Sequence, residues 1–119
     1  MSTRRRGEIW LADLNLNPRQ GTEPGKTRPV LIVQAQPLLD VEHPSTLIIP
    51  LTTNLVDDAA PLRVRVSPVG RLKRRSDLLI DQLRAIDNRR LIDGPLARLP
   101  PTLVTQVERA IRDVLDLHE

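Results

Sequence analysis

Arg28-Pro-Val-Leu-Ile-Val-Gln34 is the stretch that decides the fold. Its four consecutive apolar residues are β-rich and flanked by polar ones. They predict a short strand buried on both faces, since a half-buried strand would alternate. Pro29 biases Arg28 away from helical angles, which places that arginine in extended chain where a loop enters the strand. Upstream, residues 15–27 carry Pro18, Gly21, Pro24 and Gly25 among polar residues and read as a long loop. Before that loop, residues 8–14 read as a first strand with Ile9, Trp10 and Leu11 at its buried edge.

Downstream, Thr46-Leu-Ile-Ile-Pro-Leu-Thr-Thr53 predicts a third strand, with Pro50 marking an edge or a bulge. Leu62, Val64 and Val66 alternate with Arg63 and Arg65, the period-two signature of a half-buried strand. Residues 71–75 form a basic turn. Residues 78–82 read as an apolar strand that 84–87 continues, residues 88–95 as turn chain, and 97–99 as a short extension. Pro100-Pro101-Thr102 then opens a helix, because proline is tolerated in a first turn. Leu103, Val107, Ile111, Val114 and Leu115 give that helix one apolar face, and Glu108 and Arg112 stand four apart on its outside. Five or six short strands and one helix predict a mainly β (α+β) domain, a strongly bent antiparallel sheet or small barrel with the helix over one open side.

A chain of 119 residues is the size of one compact domain, so residues 1–119 are expected to share one core, and pairing with a second copy would add stability. Trp10 is the only residue among Phe, Trp and Tyr, so Leu, Ile and Val must build that core. There is no cysteine, which excludes disulfides, thiolate catalysis and thiolate metal sites. No apolar run approaches the roughly 20 residues that span a bilayer. The N-terminal Met1-Ser-Thr-Arg-Arg-Arg6 begins like a secretion signal but lacks the apolar stretch that should follow, so a soluble cytoplasmic protein with a frayed basic end is expected.

The formal charge of +3 mildly favours an anionic partner. The shortage of rings means that a bound RNA would be held by arginines and backbone groups rather than by base stacking. Histidine chemistry is poorly served: His43 lies beside Pro44 in a loop and His118 is penultimate. The carboxylates show no spacing suited to metals, so neither metal nor cofactor is expected, and Asp57-Asp58 reads as a solvated turn. Another toolkit remains: Glu23 and Arg28 flank the end of the long loop, Thr52 and Thr53 close a strand, and Asp81, Gln82 and Arg84 close another. If those ends meet, an arginine, a hydroxyl and a carboxylate converge. RNA needs little more, because its 2′-hydroxyl can attack the neighbouring phosphate while an arginine holds the developing charge. The same residues equally suit a Glu23–Arg28 surface ion pair, ordinary β-branched strand positions and an Asp81–Arg84 surface pair. Spacing alone does not choose between these readings.

The ordered set of segments narrows the choice. Arg6-Gly-Glu-Ile-Trp-Leu-Ala-Asp-Leu14, Gly21-Thr-Glu-Pro-Gly-Lys-Thr-Arg-Pro-Val-Leu-Ile-Val33, Ile49-Pro-Leu-Thr-Thr53, Asp81-Gln-Leu-Arg-Ala-Ile-Asp87, Arg90-Leu91 and the closing helix together resemble the MazF/PemK/Kid toxins along almost the whole chain. The resemblance implies an SH3-like barrel of five to seven strands with a C-terminal helix. It implies a homodimeric, metal-independent and sequence-specific endoribonuclease that cuts single-stranded mRNA to 2′,3′-cyclic phosphate and 5′-hydroxyl ends. A cognate antitoxin would neutralise it by blocking the RNA groove.

Carried over residue by residue, the resemblance makes Arg28 the acid and phosphate stabiliser and sets Thr52 beside the scissile phosphate. Glu23 becomes a loop acid that acts in catalysis or orients the arginine. Thr53, Asp81, Gln82 and Arg84 become RNA contacts. One departure matters: Kid-like toxins place an arginine two positions before the acid matched by Asp81, and here that position is Leu79. The departure weakens the case for Asp81 as a general base. A phosphate-binding role for Arg71, Lys73, Arg74 and Arg75 is a hypothesis, since the family varies that loop. Two rivals use the same fold. A CcdB-like gyrase poison would present a tryptophan near the C-terminus, where this chain has Leu115-Asp-Leu-His-Glu119. A non-catalytic SH3-like RNA- or protein-binding module is left open by Leu79.

Overall fold

The structure, a computed structural model, describes residues 3–14 and 27–117. Among them are seven strands: β1 (Glu8–Asp13), β2 (Thr27–Ile32), β3 (Ser45–Thr52), β4 (Arg63–Val66), β5 (Ser76–Leu79), β6 (Arg84–Asp87) and β7 (Leu91–Arg98). Two α-helices accompany them, the short α1 (Gln36–Asp40) and the C-terminal α2 (Pro101–Leu115). The antiparallel sheet runs β4-β5-β3-β2-β1-β7, with β6 also on β3. Among the described residues it bends without closing, since β4 and β7 at its ends do not pair. No helix among them is long and apolar enough to cross a membrane.

β2 is apolar on consecutive positions because the sheet is covered on both faces. Leu31 joins Ile9, Ile49 and Leu51 in a core closed by Val107 and Ala110 of α2. Val30 and Ile32 join Trp10, Ala12, Ile48, Ile86 and Leu91 in a second core that Leu39 of α1 completes. Odd and even positions of β1, β2 and β3 thus feed different cores, which is the pleat's period of two read across three strands.

Pro50 marks neither an outer edge nor a simple bulge. β3 is central, and Pro50 lies where its neighbour changes from β6, paired with residues 45–48, to β5, paired with Leu51 and Thr52. The Val33 N–H donates to the Leu47 carbonyl at 3.1 Å, so odd positions of β3 address β2 and even ones the opposite side. The missing donor of Pro50 therefore faces the gap between β5 and β6, where no ladder bond is lost. The expected strand over 78–82 ends early for the same reason. After Leu79 the chain makes a 3-10 turn, Ile80–Gln82, and then resumes along β3 as β6.

Four further expectations are corrected. Residues 91–95 are not turn chain but the first part of β7, a strand that passes a register irregularity between Ile9 and Leu11 of β1. Gly94 makes this possible, because a Cβ there would collide with the Trp10 indole. Glu108 does not support Arg112; it accepts from the Arg6 guanidinium at 3.0 Å, and Arg6 also donates to the Val33 carbonyl at 3.2 Å. The basic N-terminal segment is accordingly tied down at Arg6 rather than frayed. Leu62 continues the alternation in sequence only, lying outside β4 and about half exposed. The loop expected at 15–27 falls outside the described residues up to position 26, as do Glu23 and His118.

Candidate active site: a cationic depression at one sheet end

Antiparallel pairing brings the start of β2, the end of β3 and the start of β5 to one end of the sheet. Val30 pairs with Pro50 and Leu31 with Ile49, and the same register carried two residues outward sets Arg28 level with Thr52. Around them lies an open depression of about 450 Å³, whose lining includes Thr27, Arg28, Thr52, Thr53, Arg71 and Arg74. Lys73 and Ser76 complete its polar lining, while Leu51, Leu72 and Leu96 form the apolar floor. Four cations and no carboxylate line it among the described residues.

Arg28 is half-buried, and its guanidinium has no hydrogen bond or ion pair within the described residues. Thr52 is half-buried, and its Oγ1 accepts the Asn54 N–H at 3.1 Å. That bond uses a lone pair of the hydroxyl and leaves its proton available to donate. The cationic rim is set by a tight turn in which Val69 and Leu72 exchange backbone hydrogen bonds at 3.1 and 2.8 Å. Gly70 is required there: its φ is +54°, and a Cβ would stand 2.8 Å from the Leu96 carbonyl oxygen. The Arg71 N–H donates to that carbonyl at 2.7 Å, which moors the turn to β7. Arg71 also lies 3.7 Å from Asp93, and the Ser76 hydroxyl donates to the Arg74 carbonyl at 3.0 Å.

Of the residues expected from sequence, Arg28, Thr52 and Thr53 are brought together. Asp81, Gln82 and Arg84 do not line the depression, because β5 runs antiparallel to β3 and carries the chain away from Thr52 before it reaches them. Asp81 and Gln82 are exposed in the 3-10 turn, and Arg84 is half-buried opposite Ile48. No Asp81–Arg84 ion pair forms among the described residues. Leu79, where Kid-like toxins carry an arginine, is buried at the end of β5. His43 is exposed beyond α1, outside the depression. Among the described residues no group of three or more His, Asp or Glu stands close enough to hold a metal ion.

Sequence reasoning missed Asp77. It is buried, its side chain only 1% exposed, and it accepts from Arg65 Nε at 2.5 Å, Arg63 Nη1 at 3.1 Å and the Val56 N–H at 2.9 Å. Burial alone would raise its pKa; the hydrogen bonds from Arg65, Val56 and Arg63 outweigh it and hold the carboxyl below its ordinary value. Asp77 precedes the apolar run Leu78-Leu79-Ile80, so hydropathy sets it outside the strand. Only the Arg63-Val-Arg65 alternation hinted at a buried acceptor.

Comparison with known proteins gives this arrangement its context. The profile of the PemK-like, MazF-like toxin of type II toxin–antitoxin systems matches residues 5–115. The Endoribonuclease MazF of Staphylococcus saprophyticus is 34% identical over 116 residues, spanning 96% of this chain and 92% of its own. Endoribonuclease MazF6 of Mycobacterium tuberculosis is 32% identical over 113 residues, spanning 94% of this chain and 96% of its own. In fold, the MazE-MazF structure from Deinococcus radiodurans superposes with a TM-score of 0.78 at 19% identity, covering 99% of this chain and 100% of that one. The Mycobacterium tuberculosis toxin MazF-mt6 gives 0.76 at 22% identity, covering 94% and 99%. The chain belongs to the PemK-like, MazF-like toxins of type II toxin–antitoxin systems and is an endoribonuclease of the MazF type.

Proposed function

We propose that this enzyme cuts single-stranded RNA, mRNA in the first place, at short sequences by metal-independent transesterification, with Arg28 and Thr52 acting on the scissile phosphate. The observation that carries this reading is the pairing of a guanidinium uncommitted among the described residues with a hydroxyl, in a depression lined there by cations and no carboxylate. In the reaction the 2′-hydroxyl gives up its proton to a base as its oxygen bonds to phosphorus, and the 5′-oxygen of the next nucleotide departs and takes up a proton. The products are a 2′,3′-cyclic phosphate and a 5′-hydroxyl. Negative charge on the non-bridging oxygens peaks in the transition state. There a guanidinium donating two parallel bonds, and a hydroxyl donating one, are each worth up to about 3–4 kcal/mol.

Arg71, Lys73 and Arg74 suit the flanking phosphates, since they extend the positive field along the groove. Glu23 is assigned to orienting Arg28 or to the proton transfers. Thr53 contacts RNA beside the cut, and Asp81, Gln82 and Arg84 contact nucleotides further from it. A cognate antitoxin neutralises the enzyme, a role supported by the antitoxin-bound relatives, one of them described as an endoribonuclease in complex with its cognate antitoxin from a mycobacterial species. An acidic antitoxin segment would compete with phosphates for the same four cations. We also assign a homodimer working in the cytoplasm, for which sedimentation at micromolar concentration should return twice the monomer mass.

The direct test incubates the purified protein with a long single-stranded RNA in excess chelator and maps the cuts by primer extension. Discrete cuts that vanish in Arg28→Ala support the proposal. Intact RNA, or cuts that persist in Arg28→Ala, refute it.

A further inference from the structure

Thr52, Asp77 and Arg65 stand in one row across β3, β5 and β4, because Thr52 pairs with Asp77 and Asp77 with Arg65. Between Thr52 and the rest of the row the chain leaves β3 through residues 53–56, and that exit is fastened at successive backbone groups. The Asn54 N–H donates to Thr52 Oγ1 at 3.1 Å. The Asn54 carbonyl accepts from Arg63 Nη1 at 2.8 Å, and the same Nη1 donates to Asp77 Oδ2 at 3.1 Å. The Val56 N–H donates to that carboxylate oxygen at 2.9 Å. Arg65 braces the carboxylate from its other oxygen and reaches Asp57, further along the exit, at 2.9 Å.

We infer that Arg63 and Asp77 are positioning residues for RNA cleavage, holding the 53–56 exit so that the Thr52 hydroxyl keeps its lone pair on Asn54 and presents its proton to the phosphate. The inference rests on the proposed role of Thr52. A hydroxyl rotates freely about its C–O bond, and the side chain hops between rotamers unless something fixes it. Asn54 can fix it only while its own peptide is fixed, and the Arg63–Asp77 pair does that from the far side. The side chains of the pair line a separate depression with Val56, Asp57, Asp58 and Arg65, and none of them lines the depression that holds Arg28 and Thr52. The side-chain route from the pair to the Thr52 hydroxyl runs through residue 54, whose carbonyl Arg63 holds and whose N–H the hydroxyl accepts. Misplacing one donor by a fraction of an ångström costs rate rather than substrate affinity.

The test is a double-mutant cycle on the full-length protein, with cleavage of a defined RNA resolved into separate kcat and KM values. Thr52→Ala, Arg63→Gln and the two together are compared, with Asp77→Asn as a second route to the same loosening. The expected result is a fall of about 10–100-fold in kcat for Arg63→Gln or Asp77→Asn at nearly unchanged KM. In the Thr52→Ala background Arg63→Gln should bring no further loss, and Arg63→Lys should restore part of the rate. Additive losses, or losses in KM alone, would overturn the inference. So would failure of both Arg63→Gln and Asp77→Asn to fold, the pair then being a structural pin only. If Thr52→Ala itself cleaves normally, the proposed mechanism is what fails.

Discussion

Arg28 and Thr52 border one cationic depression, and the β2–β3 register extended two residues past the Val30–Pro50 pair sets them level with each other. The guanidinium reaches the site from the start of one strand and the hydroxyl from the last residue of its neighbour. Both sit at strand ends, two residues beyond the last pair of a buried β2–β3 ladder, rather than on a long loop. A site built on such elements holds its geometry more closely than one built on loops.

Removing the guanidinium should cost rate and little else. Arg28→Ala is expected to lower kcat about 10²–10³-fold, the cost of one well-aimed donor. Arg28 is half-buried with no partner among the described residues, so its removal should change stability by no more than about 0.5 kcal/mol, followed by circular dichroism in thermal unfolding. Arg28→Lys keeps the charge but loses the planar fork, and should recover only part of the activity. A large loss of stability in Arg28→Ala would mark the residue as structural.

The cationic rim should reveal itself through salt. For single strands, each phosphate contact contributes roughly 0.7 to the slope of log affinity against log salt. Removing Arg71, Lys73 and Arg74 together should therefore reduce that slope by about 2, measured by fluorescence anisotropy on a 2′-deoxy-substituted, uncleavable oligonucleotide. An unchanged slope would remove these side chains from the RNA path.

Asp77 makes a prediction with a definite sign. Its carboxyl is held below the ordinary value of 3.8, so the stability it contributes is fully present well above that value. That contribution is lost as pH falls from about 5 through the ordinary value toward the folded one. Asp77→Asn should be less stable at pH 7 by about 1.5–3 kcal/mol, the worth of hydrogen bonds to a charged group. Its urea midpoint should also fall less steeply than that of the unaltered protein as the solution is acidified through this range. Parallel acid limbs for the two proteins would contradict the structure at this position.

Gly94 and Trp10 predict an overpacking effect at the other core. A methyl at position 94 overlaps the indole, and the surrounding β1–β7 contact leaves little room for retreat. Gly94→Ala should destabilise by at least about 2 kcal/mol, with Trp10 as the intrinsic fluorescent reporter in urea unfolding. A neutral substitution would show that β7 is held less tightly than its pairing implies.

Much of this fold is legible in the sequence because β2 and α2 carry strong local signals. Consecutive Val30, Leu31 and Ile32 require cover on two faces, and Leu103, Val107 and Ile111 repeat at helical spacing. Elsewhere long-range pairing overrules the local cues. Gly94 and Pro95 look like turn residues, yet they sit in β7 because Trp10 needs a neighbour without a side chain. Leu78 to Gln82 look like one strand, yet the run breaks where Pro50 leaves β3 without a donor. The grouping of Arg28 with Thr52 follows from family likeness and needs only adjacent strand ends. Asp77 escapes because a buried carboxylate is defined by its partners. Arg65, Arg63 and Val56 are 12, 14 and 21 residues away along the chain, and they meet it only once β5 has paired with β3 and β4.

In the mechanism proposed above, the substrate's own 2′-hydroxyl is the nucleophile and the protein supplies charge and alignment. The decisive experiment replaces the single ribose on the 5′ side of a mapped cut by deoxyribose, and follows cleavage in excess chelator with identification of the product ends. No cleavage is expected at the substituted position, and the all-ribose strand should yield a 2′,3′-cyclic phosphate and a 5′-hydroxyl. Cleavage of the deoxy-substituted strand at that site, or ends bearing a 3′-hydroxyl and a 5′-phosphate, would contradict the mechanism.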